Sequence, residues 1–129
     1  LTDATPPAPT WPATPDWPRV RAYHRDGSRA GRLRLAVDGD APWLAGHFPD
    51  RPVLPGVVLL RWAIEVTARL WPDLGDVTAV SQLKFRKPVL PPADLDLTLE
   101  LQSDKQGRRL VFRFERDGAP CAQGRVHYP

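Results

Sequence analysis

One segment constrains the fold more than any other. Between Pro55-Gly56 and Pro72, every residue from Val57 to Trp71 is apolar except Arg61, Glu65, Thr67 and Arg69. Proline and glycine at the start and proline just past the end bracket a helix. At about 100° per residue, Arg61, Glu65 and Arg69 fall within an arc of about 80°. A helix apolar around most of its circumference must be covered on most sides. The charged stripe must face water, a partner or a cleft, because an unpaired buried charge is costly.

The cover is written in the rest of the chain as strands. In GRLRLAV, Leu33, Leu35 and Val37 alternate with Arg32 and Arg34. That is the pattern of a half-buried strand. Residues 77–86, VTAVSQLKFR, predict another, with Val77, Ala79, Leu83 and Phe85 on one face. LDLTLEL is stricter, with Leu95, Leu97, Leu99 and Leu101 opposite Asp96, Thr98 and Glu100. The loop SDKQGR leads into LVFRFER, with Leu110, Phe112 and Phe114 inward. Asp117-Gly118 signals a hairpin. The last strand, CAQGRVHY, puts Ala122, Gly124, Val126 and Tyr128 on one face. Consecutive strands with short turns predict an antiparallel sheet. One apolar helix with a sheet curled around it is an α+β domain.

The ends and the composition narrow the function. A chain of 129 residues suits one domain. Residues 1–18 carry six prolines and are expected to be a tail or linker, packed at most through Trp11 and Trp17. Residues 19–129 then form the single domain. No apolar run is long enough to span a membrane, and the start does not read as a secretory signal. Cys121 is the only cysteine, so no internal disulfide forms. That fits a reducing cytoplasm, the location expected here. The net charge of +3 is mild, and its densest basic cluster is Lys84, Arg86 and Lys87. This is not the concentrated stripe of a nucleic-acid binder. It suits an acidic partner or a phosphate-bearing substrate. His24, His127 and Cys121 have no metal-ligand spacing. Trp62 reads as core packing.

The chemistry lies just before the helix, in HFPDRPVLPGV, residues 47–57. This stretch resembles the signature of the β-hydroxyacyl-(acyl carrier protein) dehydratases of the hotdog fold, approximately HFPGxPVMPGV followed by an apolar helix. PWLAGHF is similar to the lead-in. KFRKPVLPPADLDLTLEL resembles the family's strand, proline turn and strand, where a glycine commonly stands near Ala93. The resemblance covers roughly residues 30–102. The LRWA context and the short chain are most similar to the dehydratase-like proteins of aryl-polyene and related pigment clusters.

The resemblance implies a mechanism that the residue chemistry supports. His47 would remove a proton α to a thioester carbonyl, since imidazole titrates near neutrality. The Gly56 N–H, at the helix start with Pro55 and Val57, would hold the carbonyl oxygen, because the first N–H groups of a helix lack intrahelical partners. Pro49, Pro52 and Pro55 would hold the histidine relative to the helix. The apolar helix face and strands would wall an acyl tunnel. Arg51, Lys84, Arg86 and Lys87 would guide an acidic carrier protein or the phosphate of its pantetheine arm, or form a solvated basic surface. The substrate would be carried on acyl carrier protein or coenzyme A, with no metal or redox cofactor. A homodimer is implied, because one subunit alone would leave the tunnel half built. A heterodimer with another hotdog protein is the alternative.

The pattern breaks at position 61. Fourteen residues after the histidine the family places an acid that protonates the departing hydroxyl. Here the residue is Arg61, which stays protonated and is a very poor proton donor, but can stabilise negative charge or bind an anion and so is a substrate-binding candidate. Glu65, one turn later on the same stripe, is the replacement candidate. Asp50, at the family's glycine position, a bound water, or His47 acting twice are the others. The expected activity is dehydration of 3-hydroxyacyl thioesters to trans-2-enoyl thioesters. The alternatives are a non-catalytic or half-site acyl-binding subunit, or an acyl thioesterase using Glu65. The plain reading of Arg61, Glu65 and Arg69 is an i, i+4, i+8 ladder of salt bridges facing solvent.

Overall fold

The computed structural model describes residues 9–14, 16–39 and 53–129. His47, Asp50 and Arg51, with Pro49 and Pro52, lie outside the described residues. The elements are β1 (Arg19–Asp26), β2 (Ala30–Val37), α1 (Gly56–Leu70), β3 (Ala79–Phe85), β4 (Ala93–Asp104), β5 (Gly107–Arg116) and β6 (Ala119–Tyr128). The strands form one six-stranded sheet in the order β1-β2-β4-β5-β6-β3. Every pairing is antiparallel. The one helix among the described residues packs across β4, β5 and β6.

The alternating leucines set the register. Leu95 and Leu97 are fully buried and Leu99 nearly so. Leu97 pairs with Phe114, Leu99 with Phe112 and Leu101 with Leu110, so these three residues of β4 meet inward residues of β5. Phe112 and Phe114 stack edge to face at 6.0 Å. A Cβ on Gly124 would stand 2.9 Å from the Phe112 ring. Glycine is therefore what lets that ring lie against β6. Asp117 and Gly118, with φ of 51° and 80°, form the primed turn that the right-handed twist of a hairpin favours.

Against this floor α1 buries Leu59, Trp62, Ala63, Val66, Thr67 and Leu70. The Thr67 hydroxyl is satisfied by donating to the Ala63 carbonyl at 2.6 Å. The helix C-terminus is closed by the β1–β2 turn. Arg25 Nη1 donates to the Leu70 carbonyl at 3.0 Å, and its guanidinium lies 5.2 Å from the Trp71 ring centroid. Trp71 Nε1 donates to the Ser28 carbonyl at 2.8 Å. A cation there also meets the negative end of the helix dipole.

The sheet adds a strand before GRLRLAV: β1, RVRAYHRD, in which a bulge between Val20 and Ala22 shifts the phase of the apolar residues. One expectation is corrected. The face assigned to residues 77–86 does not exist. Val77 precedes the strand, a bulge between Ser81 and Lys84 interrupts it, and Gln82 takes a left-handed φ of 50°. Val80, Leu83 and Phe85 are all substantially exposed. α1 is covered along most of its apolar surface, with Val58, Leu60 and Ile64 partly buried against the core and Val57 left 69% exposed.

The N-terminal segment packs through its tryptophans. Trp17 is buried in the core and stacks near Trp11, which meets Tyr23 edge-on at 5.8 Å. Trp62 Nε1 donates to the Asp16 carbonyl at 3.2 Å.

Phe112→Ala should cost about 3–5 kcal/mol, the range for an aromatic removed from a packed core. Denaturant unfolding with an unchanged m-value checks it.

Candidate active site

The opposite end of α1 starts at the N-cap Pro55, with φ −62° and ψ 138°, and no side chain among the described residues caps the helix. No acidic residue stands in the first turn. The Val58 N–H donates to the Pro55 carbonyl at 3.0 Å, and the N–H groups before it, at the positive end of the dipole, are placed for an incoming acceptor. The approach to this end is held by Leu54, whose N–H donates to the Val89 carbonyl at 2.8 Å. Both residues are buried.

Here a cavity of about 290 Å³ opens, walled chiefly by Leu54, Gly56, Leu59, Phe85, Val89 and Cys121. Pro55 also lines it, as do Arg86 and Lys87. The sequence's candidates Pro55, Gly56, Arg86 and Lys87 are thereby brought together. Arg86 Nε donates to Gln123 Oε1 at 3.2 Å, while Lys84 and Lys87 are exposed. A Cβ on Gly56 would fall 2.6–2.8 Å from three carbons of the Phe85 ring. The ring occupies the space a side chain at 56 would need. Burial pushes the Cys121 thiol up from its ordinary range, which keeps it protonated and unreactive near neutrality.

Arg61 and Glu65 form a second group. Arg61 Nε donates to Glu65 Oε1 at 3.0 Å, and Arg61 Nη2 lies 3.7 Å from Asp16 Oδ2. The Glu65 bond raises the guanidinium pKa further, so Arg61 is excluded as a proton donor. The Asp16 carboxyl is held below its usual range, first by a bond from Thr14 and in smaller part by Arg61. The Arg69 guanidinium lies 5.5 Å from the Trp17 ring centroid. The stripe therefore meets the chain's own N-terminal segment. Glu65 Oε2 is buried, and none of the described residues donates to it. Neither Arg61, Glu65 nor Val57 lines the cavity. His24 bonds Asp26 at 2.7 Å, and His127 bonds Ser81 at 2.6 Å.

Sequence reasoning missed Leu54, Val89, Phe85 and Cys121 as cavity walls. Only one signal pointed there, the glycine at 56, since a close backbone approach needs something to approach.

Residues 23–125 match the family model described as ApeI-like, ApeI dehydratase. The chain belongs to the ApeI-like dehydratase family. It is 37% identical over 96 residues to the 3-hydroxyacyl-[acyl-carrier-protein] dehydratase FabZ of Magnetococcus marinus, over 65% of this chain. The chain spans 61% of the length of that relative. Among solved structures it is similar to the dehydratase heterocomplex ApeI:P from Xenorhabdus doucetiae. That match has a TM-score of 0.77 and 25% identity, covering 86% of this chain and 96% of that one. An uncharacterized protein from Erwinia carotovora subsp. atroseptica matches with a TM-score of 0.70 and 26% identity, over 87% and 95% of the two chains. The fold of this ApeI-like chain is the hotdog implied by its motif, a sheet wrapped on one central helix.

Gly56→Ala should destabilise by about 1 kcal/mol, the low end for overpacking, because the half-exposed Phe85 ring can rotate away. In a Phe85→Ala background the same change should be neutral or stabilising, since alanine is the better helix former. A double-mutant cycle should give a coupling above about 0.5 kcal/mol.

Proposed function

We propose that this protein removes water from 3-hydroxyacyl thioesters carried on the phosphopantetheine of an acyl carrier protein or coenzyme A, giving trans-2-enoyl thioesters. The observation that carries the reading is the apolar cavity opening on the uncapped start of α1 at Gly56. It lies directly after the histidine motif, in a member of a dehydratase family. His47, assigned from the motif, takes the α proton. The thioester oxygen accepts from the Gly56 N–H as enolate charge develops. The β C–O bond then breaks, and the oxygen leaves as water once it is protonated. Glu65 is assigned as that donor, with Oε1 on Arg61 and Oε2 unengaged by the described residues. The reaction is redox-neutral, so its balance calls for no redox cofactor. The exposed Lys84 and Lys87, with Arg86 and Arg51, are assigned to the acidic carrier or its phosphate. The cytoplasm is the assigned location.

The assembly reading rests on β3. It ends the sheet beyond β6 and exposes Val80, Leu83 and Phe85, with Val57 of α1 also exposed. An apolar open edge invites another strand. A homodimer through this edge is proposed. A second reading, a heterodimer whose other chain supplies the acid, is favoured by Arg61 standing where an acid is expected and being tied to Glu65 and Asp16.

Purified protein should convert a 3-hydroxyacyl thioester to a product lighter by one water. His47→Ala and Glu65→Gln should each lower kcat by about 10²–10⁴-fold. An unchanged rate in Glu65→Gln removes Glu65 as the donor. Turnover only after adding a second hotdog protein supports the heterodimer, and release of free acid supports a thioesterase. Val80→Lys on the β3 edge should shift the mass measured by light scattering from dimer to monomer.

A further inference from the structure

We infer that Phe85 is a specificity-determining residue, its ring being the adjustable wall at the mouth of the cavity beside Gly56. The inference rests on the dehydratase reading and goes beyond it in naming what selects the acyl group.

The aromatic side chains of this sheet divide into two kinds. Phe112 and Phe114 are fully buried, whereas Phe85 is 51% exposed. Yet the Phe85 ring lies in van der Waals contact with the helix start. Its Cε1, Cζ and Cδ1 fill the place a Cβ on Gly56 would take, at 2.6, 2.7 and 2.8 Å. Within one chain this apolar ring closes over the helix start while half of its surface is left outside the core.

The buried walls are pinned. Leu54 is bonded to Val89, and Leu59 and Cys121 are each 3% exposed. The backbone that follows Phe85 is fixed, because the Arg86 N–H donates to the Cys121 carbonyl at 2.7 Å and Lys87 N–H to the same oxygen at 3.3 Å. Phe85 itself pairs with the small Ala122 across β3–β6. The ring is therefore a half-free side chain on a fixed backbone. At about 290 Å³ the cavity is near the lower end of ligand-sized pockets, about 300–1,000 Å³. Rotating or removing one phenyl ring changes its mouth by a large fraction.

The test compares 3-hydroxybutanoyl and 3-hydroxy-5-phenylpentanoyl pantetheine thioesters on the native protein and on Phe85→Leu, Phe85→Ala and Phe85→Tyr. Phe85→Ala should raise the ratio of kcat/KM, phenyl over short, about tenfold or more. Phe85→Leu should raise it less, and Phe85→Tyr, which keeps the ring, should leave it unchanged. Equal changes for both substrates would overturn the inference. If the native protein turns over neither, the dehydratase reading fails by itself. The role of Phe85 is then read from calorimetric binding of the same two acyl groups as unreactive pantetheine thioethers. A tenfold shift in the affinity ratio supports it, and an unchanged ratio overturns it. Melting temperature and solution mass of each variant show that fold and assembly are retained.

Discussion

Everything in this molecule hangs on one helix face pressed onto the middle of one sheet. Trp62, Ala63, Val66 and Leu70 of α1 are buried against a sheet whose central strands supply Leu95, Leu97, Leu99, Leu110, Phe112 and Phe114. Burying such side chains contributes about 1.5–3 kcal/mol each. The strict period of two in β4 and β5 then admits a single register, since a slip of one residue would turn the leucines to water.

The two ends of that helix are treated differently. At the C-terminus, Arg25 and Trp71 close the last turn and weld it to the β1–β2 loop. At the N-terminus, a proline cap offers no side-chain acceptor and the first turn carries no acid. Helix polarity makes the closed end suited to a cation and the open end suited to developing negative charge. Gly56 sits at the open end because the Phe85 ring leaves no room for a side chain.

The charged stripe shows how a pattern legible in sequence acquires meaning only in three dimensions. Arg61, Glu65 and Arg69 align by helical arithmetic alone. Their partners do not, because Asp16 and Trp17 arrive from a proline-rich segment with no local periodicity. Likewise β1 escaped notice, because its bulge destroys the alternation on which strand recognition depends. β3 misled for the related reason that Gln82 breaks its phase. Edge strands bury little, so their sequences carry little hydrophobic signal.

The sequence by itself determined the elements whose residues repeat: α1, β2, β4, β5, β6 and the Asp117-Gly118 turn. It also carried the motif that places the chain in its family. Periodic burial and turn chemistry are local properties, so they survive in one dimension. Only the tertiary structure decided that Leu54, Phe85, Val89 and Cys121 share a cavity with Gly56, and that Arg61 stands outside it between Glu65 and Asp16. Those neighbours are far apart along the chain, and long-range packing, not local preference, brings them together.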